Sequence, residues 1–196
     1  MRRNLTKEEQ NFGLGTILYA LICLGFAITF AKGMEVSYVT QHYSEILHSF
    51  FSYVTQVAEL PGIILFIILV VLKDRKQLLH YTIIALLTAL TITIFKHLIF
   101  SSSDRPRAWA IQQHIVLPAD ASNLLHFSFP SGHTAFAFCL MYCLVILYNE
   151  KKWTFFFLSI GILVGLSRIY LLAHFVIDTG IGALIGLSMG MIGNRL

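Results

Sequence analysis

Residues Trp153–Ile192 read WTFFFLSIGILVGLSRIYLLAHFVIDTGIGALIGLSMGMI. Two almost uniformly apolar runs, Trp153 to Leu172 and His174 to Ile192, each have the roughly 20 residues that a helix needs to cross the hydrocarbon core of a bilayer. Around their junction stand Ser167, Arg168, His174 and Asp178. Ionisable groups at or within membrane spans are costly and usually belong to a site or a pathway. The stretch therefore predicts two membrane helices whose connection carries chemistry.

The rest of the chain extends this reading. Of 196 residues, 57% are hydrophobic and 12% charged, and the mean hydropathy is +0.74, more apolar than a soluble domain of this length can bury. Four further apolar runs, Phe12 to Ala31, Leu60 to Leu72 (extended upstream), Leu79 to Phe100 and His133 to Tyr148, bring the expected spans to six. The first is longer than a signal-peptide core and is expected to stay uncleaved. The fold expected is all-α, a polytopic bundle of six transmembrane helices forming a single membrane-embedded domain over residues 1–196, with no separate soluble domain. Gly33 to Glu59, where His42, Glu45 and His48 stand among Tyr, Phe and Leu, is expected to form an interfacial helix after the first span. Ser101 to Gly132, which holds three of the four prolines, is the one long polar link, and long links held by a scaffold are often functional. Cys23, Cys139 and Cys143 lie in apolar runs without metal-site spacing and are expected to be buried. Gly180, Gly182, Gly186, Gly190 and Gly193 predict close helix packing along the last span.

With six spans, nine of the fourteen basic residues fall on one side: Arg2, Arg3, Lys7, Lys73, Arg75, Lys76, Lys151, Lys152 and Arg195. Positive charge collects on the cytoplasmic side, so both termini are expected there. Topology accounts for the net charge of +4, and no nucleic-acid partner is expected. The opposite side holds Lys32, Lys96, Arg105, Arg107 and Arg168. The candidate site therefore faces outward.

Three groups of residues converge on that side. His174 and Asp178 are four apart, so on one helix they share a face, where a carboxylate can orient an imidazole and leave its other nitrogen as nucleophile or base. By itself such a pair is better read as a hydrogen bond between helices. Pro130-Ser131-Gly132-His133 precedes an apolar run and predicts a helix start whose backbone N–H groups can hold an anion, with Gly132 allowing close approach and Ser131 and His133 adding a donor and a proton. An ordinary cap by Ser131 explains the same residues. Arg168 offers a fork of donors suited to phosphate, or it snorkels to headgroups. On a continuous helix it would lie about 120° from His174, so a bend near Leu171 to Ala173 is required. Lys96 and Arg105-Pro106 supply further cations.

In these residues the chain resembles the type 2 phosphatidic-acid phosphatase superfamily. That family's signatures are Lys, six residues, Arg-Pro; then Pro-Ser-Gly-His; then Ser-Arg, five residues, His, three residues, Asp. The second matches at Pro130 to His133, and the third at Ser167, Arg168, His174 and Asp178. In the first, eight residues separate Lys96 from Arg105, which on a regular helix sets them on opposite faces. His97 is the nearest polar substitute for Lys96.

The resemblance implies a metal-independent hydrolase with no cofactor, acting on a phosphorylated membrane lipid. His174, oriented by Asp178, would be the nucleophile and would form a phosphohistidine. His133 would protonate the leaving oxygen, and Lys96, Arg105, Arg168, Ser131 and Gly132 would bind phosphate. Undecaprenyl diphosphate, lipid A phosphates, phosphatidylglycerol phosphate and phosphatidic acid are the candidate lipids, with a lean to the first two. A lipid phosphotransferase would use the same residues, and a proton-relaying transporter is the reading from another class. Small size and the lack of a targeting extension lead to the expectation of a bacterial inner-membrane protein. The oligomeric state is left open.

Overall fold

The computed structural model describes residues 4–194. Arg2, Arg3 and Arg195, counted above on the basic side, lie outside the described residues. Every regular element among the described residues is helical.

The first helix, α1 (Lys7–Thr29), begins ahead of the apolar run expected from Phe12 because Thr6 and Glu9 form a reciprocal cap. The Glu9 N–H donates to Thr6 Oγ1 at 3.2 Å and the Thr6 N–H to Glu9 Oε2 at 2.7 Å, which satisfies two N–H groups that a helix start leaves open. The expected interfacial helix is two helices, α2 (Met34–Gln41) and α3 (Glu45–Thr55), separated at His42 to Ser44. The Tyr170 hydroxyl accepts from the Ser44 N–H at 2.9 Å, which ties the break to a distant part of the chain.

The next apolar segment is a helical hairpin, α4 (Leu60–Asp74) and α5 (Leu78–Ile94). Pro61 lies in the first turn of α4, where it needs no N–H partner, and α4 does not extend upstream as expected. Asp74 is extended, at φ −158 and ψ 95, and the chain doubles back so that the Phe66 and Tyr81 rings are 6.3 Å apart. After α5 the helix widens into a π segment, Phe95–Ile99. The long link contains a short helix not expected from sequence, α6 (Pro106–Gln112). A small cluster of Val36, Val39, Ala110, Ala121, Leu172 and Phe175 supports it from α2 and the final turn.

Three apolar helices complete the bundle: α7 (Gly132–Tyr148), α8 (Lys151–Tyr170) and α9 (Val176–Gly193). The centre is α7, buried without interruption from Ala137 to Val145 and packed against α9, α8 and α5, while α1 lies on α9. Between helices in lipid there is no hydrophobic driving force, so close packing must hold them together. Phe138 lies 6.1 Å from the Phe12 ring and is stacked 5.6 Å from Tyr19. A Cβ on Gly186 would lie 2.1 Å from the Ala135 carbonyl oxygen, and one on Gly182 2.6 Å from that of Ser131. The expected close packing of the glycine stripe is present, and it lets the backbones of α7 and α9 touch within one chain. All three cysteines are buried.

Among the described residues, four helical stretches are long and apolar enough to cross a membrane: Lys7–Thr29, Leu60–Ile99, Lys151–Tyr170 and Val176–Gly193. The second is the hairpin. Gly132–Tyr148 is apolar but shorter. Outward from the bundle point Leu14, Leu18 and Leu21 of α1, Leu65 and Leu72 of α4, Leu86 and Leu90 of α5 and Phe155 of α8, all exposed. Apolar rows this extensive would not suit water.

The two ends of the bundle differ. At one, Glu9 accepts from the Tyr142 hydroxyl at 3.2 Å and from Asn194 Nδ2 at 3.0 Å, and Lys73 Nζ lies 5.2 Å from the centre of the Tyr148 ring. The opposite end gathers the starts of α4, α7 and α9 and the end of α8. The candidate residues are there.

Candidate active site

Ser131 caps α7 with a buried hydroxyl that accepts from the Thr134 N–H at 3.4 Å and pairs with Thr134 Oγ1 at 2.9 Å. Its own N–H donates to the Asp178 carbonyl oxygen at 3.0 Å, fastening the start of α7 to the start of α9. Gly132 and His133 are the first two residues of α7. This turn therefore offers an anion its backbone N–H groups and the positive end of the helix dipole. The Ser131 hydroxyl is already engaged in the cap.

The bend required between Arg168 and His174 is present. After α8 ends at Tyr170, Leu172 takes a positive φ of 51, and the N–H groups of Ala173 and His174 both donate to the Arg168 carbonyl oxygen, at 3.0 and 3.1 Å. The connection differs from expectation in one respect. His174 precedes α9 instead of lying on it, because the helix begins at Val176 with Phe175 as its N-cap. Asp178, in the first turn, turns its carboxylate back across the helix start. There Oδ2 accepts from the Phe175 N–H at 3.1 Å and from the Ser128 hydroxyl at 2.5 Å, and lies 3.4 Å from His174 Nδ1. The pair is thus brought together by an N-terminal acid reaching backward, and Nε2 of His174 is left for chemistry. His174 is 2% exposed. Burial, reinforced by Arg105, Lys96, Arg168 and His133, holds its imidazole well below the usual histidine range.

The spacing between Lys96 and Arg105 has a structural answer. The Phe100 N–H donates to the Phe95 carbonyl oxygen at 2.9 Å, a π turn that admits an extra residue, and the chain leaves the helix before Arg105. Lys96 Nζ and Arg105 Nη2 then donate to the same acceptor, the Phe127 carbonyl oxygen, at 3.0 and 3.2 Å. Two residues that a regular helix would point apart are brought side by side. His97 instead lies against the Phe127 ring, centroids 4.7 Å apart. Arg105 also donates from Nε to the His126 carbonyl oxygen at 2.9 Å and from Nη1 to that of Ala173 at 3.0 Å. Burial lowers its pKa, an effect that Asp178 opposes, yet a guanidinium keeps its charge at neutral pH. Of its five N–H groups, these bonds use three.

Arg168 reaches the same region from α8. Its Nη1 donates to Thr55 Oγ1 at 2.8 Å. Its Nε is buried and is the one side-chain polar atom among the described residues found to be buried without a hydrogen-bond partner. An orphaned buried donor of this kind costs about 1–3 kcal/mol unless something occupies it.

Three participants were not evident from the sequence motifs. His133 Nε2 is 3.0 Å from Glu59 Oε1, Thr55 holds Arg168, and Ser128 holds Asp178. Glu59 was visible only as the last polar residue before an apolar run, and Ser128 only as a neighbour of Pro130.

A buried imidazole oriented by a carboxylate, three cations and a second histidine at a helix start are the parts of a phosphoryl-transfer site. They stand at one end of a multi-pass membrane bundle. Residues 77–196 match the PAP2 superfamily, and the chain belongs to that family. Among solved structures it is similar to LpxE of Aquifex aeolicus, with a TM-score of 0.68 at 24% identity, covering 86% of this chain and 98% of that one. It is also similar to a transmembrane PAP2-type phosphatidylglycerolphosphate phosphatase of Bacillus subtilis, with a TM-score of 0.63 at 21% identity, covering 96% of this chain and 95% of that one. No curated protein matches the sequence significantly. At these identities the structural likeness speaks for the fold.

Proposed function

We propose that the protein hydrolyses the phosphate ester or diphosphate of a membrane lipid through a phosphohistidine on His174. The observation that carries this reading is the setting of His174: buried, turned by Asp178, and beside three cations of which Arg168 has an unpartnered Nε–H. His174 Nε2 attacks phosphorus in line as the bond to the lipid oxygen breaks. That oxygen takes a proton from His133. Water then attacks the phosphohistidine, giving its proton to His133, and the P–N bond breaks to release phosphate and neutral His174. Lys96, Arg105 and Arg168, with the backbone at Gly132 and the turn capped by Ser131, hold the equatorial oxygens, where positioning and charge stabilisation dominate.

In the proposed reaction the cations Lys96, Arg105 and Arg168 meet the phosphate charge. A lipid substrate is supported by a pocket of about 340 Å³ lined by Ala58, Ile63, Thr88, Ile92, Gly132 and His133, which places apolar surface beside the proton donor. We take α1, α4, α5, α7, α8 and α9 each to cross the bilayer of a bacterial inner membrane, with the site outward and Lys7, Lys73, Lys151 and Lys152 at the cytoplasmic end.

The test is phosphate release by purified protein from the four candidate lipid classes. A labelled lipid phosphate should also leave an acid-labile, base-stable phosphoenzyme that His174→Ala abolishes. No free phosphate, with labelled phosphate carried onto an acceptor lipid when one is added, would replace hydrolysis by phosphotransfer.

A further inference from the structure

Residues 77–196 carry the family match, yet two side chains from upstream reach the site. Thr55 ends α3 and accepts from Arg168, and Glu59, four residues later, is the N-cap of α4 and meets His133. The 3-10 turn Gln56–Ala58 joins them. This junction is closely packed, since a Cβ on Gly62 would lie 2.1 Å from the Val57 carbonyl oxygen. Glu59 is extended, at φ −117 and ψ −173, and makes no side-chain cap to its own helix. Its carboxylate instead lies against α7.

His133 is faced by Arg168 from α8, by Lys96 from the π segment and by Glu59 from the start of α4. Of these, Glu59 is the carboxylate, with Oε1 3.0 Å from Nε2 of His133. The Glu59 and His133 side chains are 43% and 34% exposed, so the pair stands at the open edge of the site, and His133 also lines the apolar pocket.

We propose that Glu59 is the positioning residue of the general acid: its carboxylate accepts the Nε2–H of His133 and orients the ring so that Nδ1–H is the proton delivered to the leaving lipid oxygen. The arrangement mirrors that of Asp178 with His174, and the inference rests on the reaction proposed above. In the first step Nδ1 gives its proton to the ester oxygen as the P–O bond breaks, leaving neutral His133 with Nε2–H still held by Glu59. In the second step Nδ1 takes a proton from the attacking water, which restores the starting state.

The decisive comparison uses a long-chain alkyl phosphate and a nitrophenyl phosphate bearing the same chain. The alkoxide must be protonated to leave, and the nitrophenolate need not be. The values compared are kcat/KM, which reports steps through phosphoryl transfer. Since a general acid contributes roughly 10²–10⁴-fold, Glu59→Gln should lower the alkyl-to-aryl ratio by at least about 10-fold. Glu59→Asp should recover part of the ratio, and His133→Ala should lower it further. An unchanged ratio in Glu59→Gln, whether both rates fall together or neither falls, would overturn the assignment. Failure of the underlying reaction is distinct: the unaltered protein would then release phosphate from neither ester, or His174→Ala would be as active as the parent.

Discussion

In the proposed reaction His174 can attack only when neutral, and its surroundings favour that state. Its pKa is lowered by burial and by neighbouring cations, so acidification through the ordinary imidazole range of about 6.5 leaves the attacking form intact. Because the shift is downward, loss of the nucleophile to protonation occurs only at lower pH. Solvent-exposed imidazole would instead lose half its nucleophile near pH 6.5. The expected result, in burst measurements of phosphoenzyme formation against pH, is no half-loss assignable to His174 near 6.5. At Arg168 the expectation concerns shape as well as charge. Lysine keeps the charge but removes the fork and the buried Nε–H, so Arg168→Lys should reduce kcat by about 10²–10³-fold, the effect of removing a preorganised donor. Phosphate-release kinetics at saturating lipid measure it, and a loss below about threefold would show that the orphan donor is not aimed at the reacting phosphate.

At the scale of elements, contact between α7 and α9 holds the site together, because the starts of these helices carry His133 and Asp178. Gly186 faces the Ala135 carbonyl oxygen so closely that any side chain forces the helices apart. Gly186→Val should destabilise the fold by about 1–3 kcal/mol or more, seen as a lower melting temperature in detergent together with reduced activity. Gly25, on the lipid-facing side of α1, has open space around it, and Gly25→Ala should raise stability by about 0.4–1 kcal/mol. Equal effects at both positions would show that the glycine stripe is not the close contact. The elements also show where linear reading stops. Capping at Ser131 is local and legible; the cap at Thr6, equally local, lies ahead of the apolar run that marks its helix. The π turn at Phe95–Ile99 was not legible, since an inserted residue has no pattern of its own and shows only as excess spacing. Nor was α6, a short helix stabilised from above by Val36 and Val39 of α2.

Across the whole molecule, charge and chemistry occupy opposite ends. Lys7, Lys73, Lys151 and Lys152 accompany helix ends that Glu9, Tyr142 and Asn194 tie together, while the candidate site lies at the other end. The proposed orientation follows from this separation, and it can be measured in cells. With the three native cysteines buried, a single cysteine replacing Ala119 should react with a membrane-impermeant maleimide from outside. One replacing Glu150 should react only after the membrane is opened. The reverse pattern would place the site in the cytoplasm. Clustering at one end also weighs against the transporter reading, which expects its polar residues near the midplane.

The sequence by itself determined the membrane character, the order of the apolar helices and the motif residues that meet at one end of the bundle. Each rests on interactions within a few residues: apolar length, a cap, a glycine permitting close approach. Even the turn from Arg168 to His174 is local, and its need could be deduced from helical angles. Tertiary structure decided what meets across the chain. Lys96 and Phe127 are 31 residues apart, Ser128 and Asp178 50, Glu59 and His133 74, and Thr55 and Arg168 113. No local propensity encodes such pairs. They form because the hairpin of α4 and α5 folds onto α7 and because a long link, held by a small core shared with α2 and the turn before α9, lays the carbonyls of His126 and Phe127 over the cations.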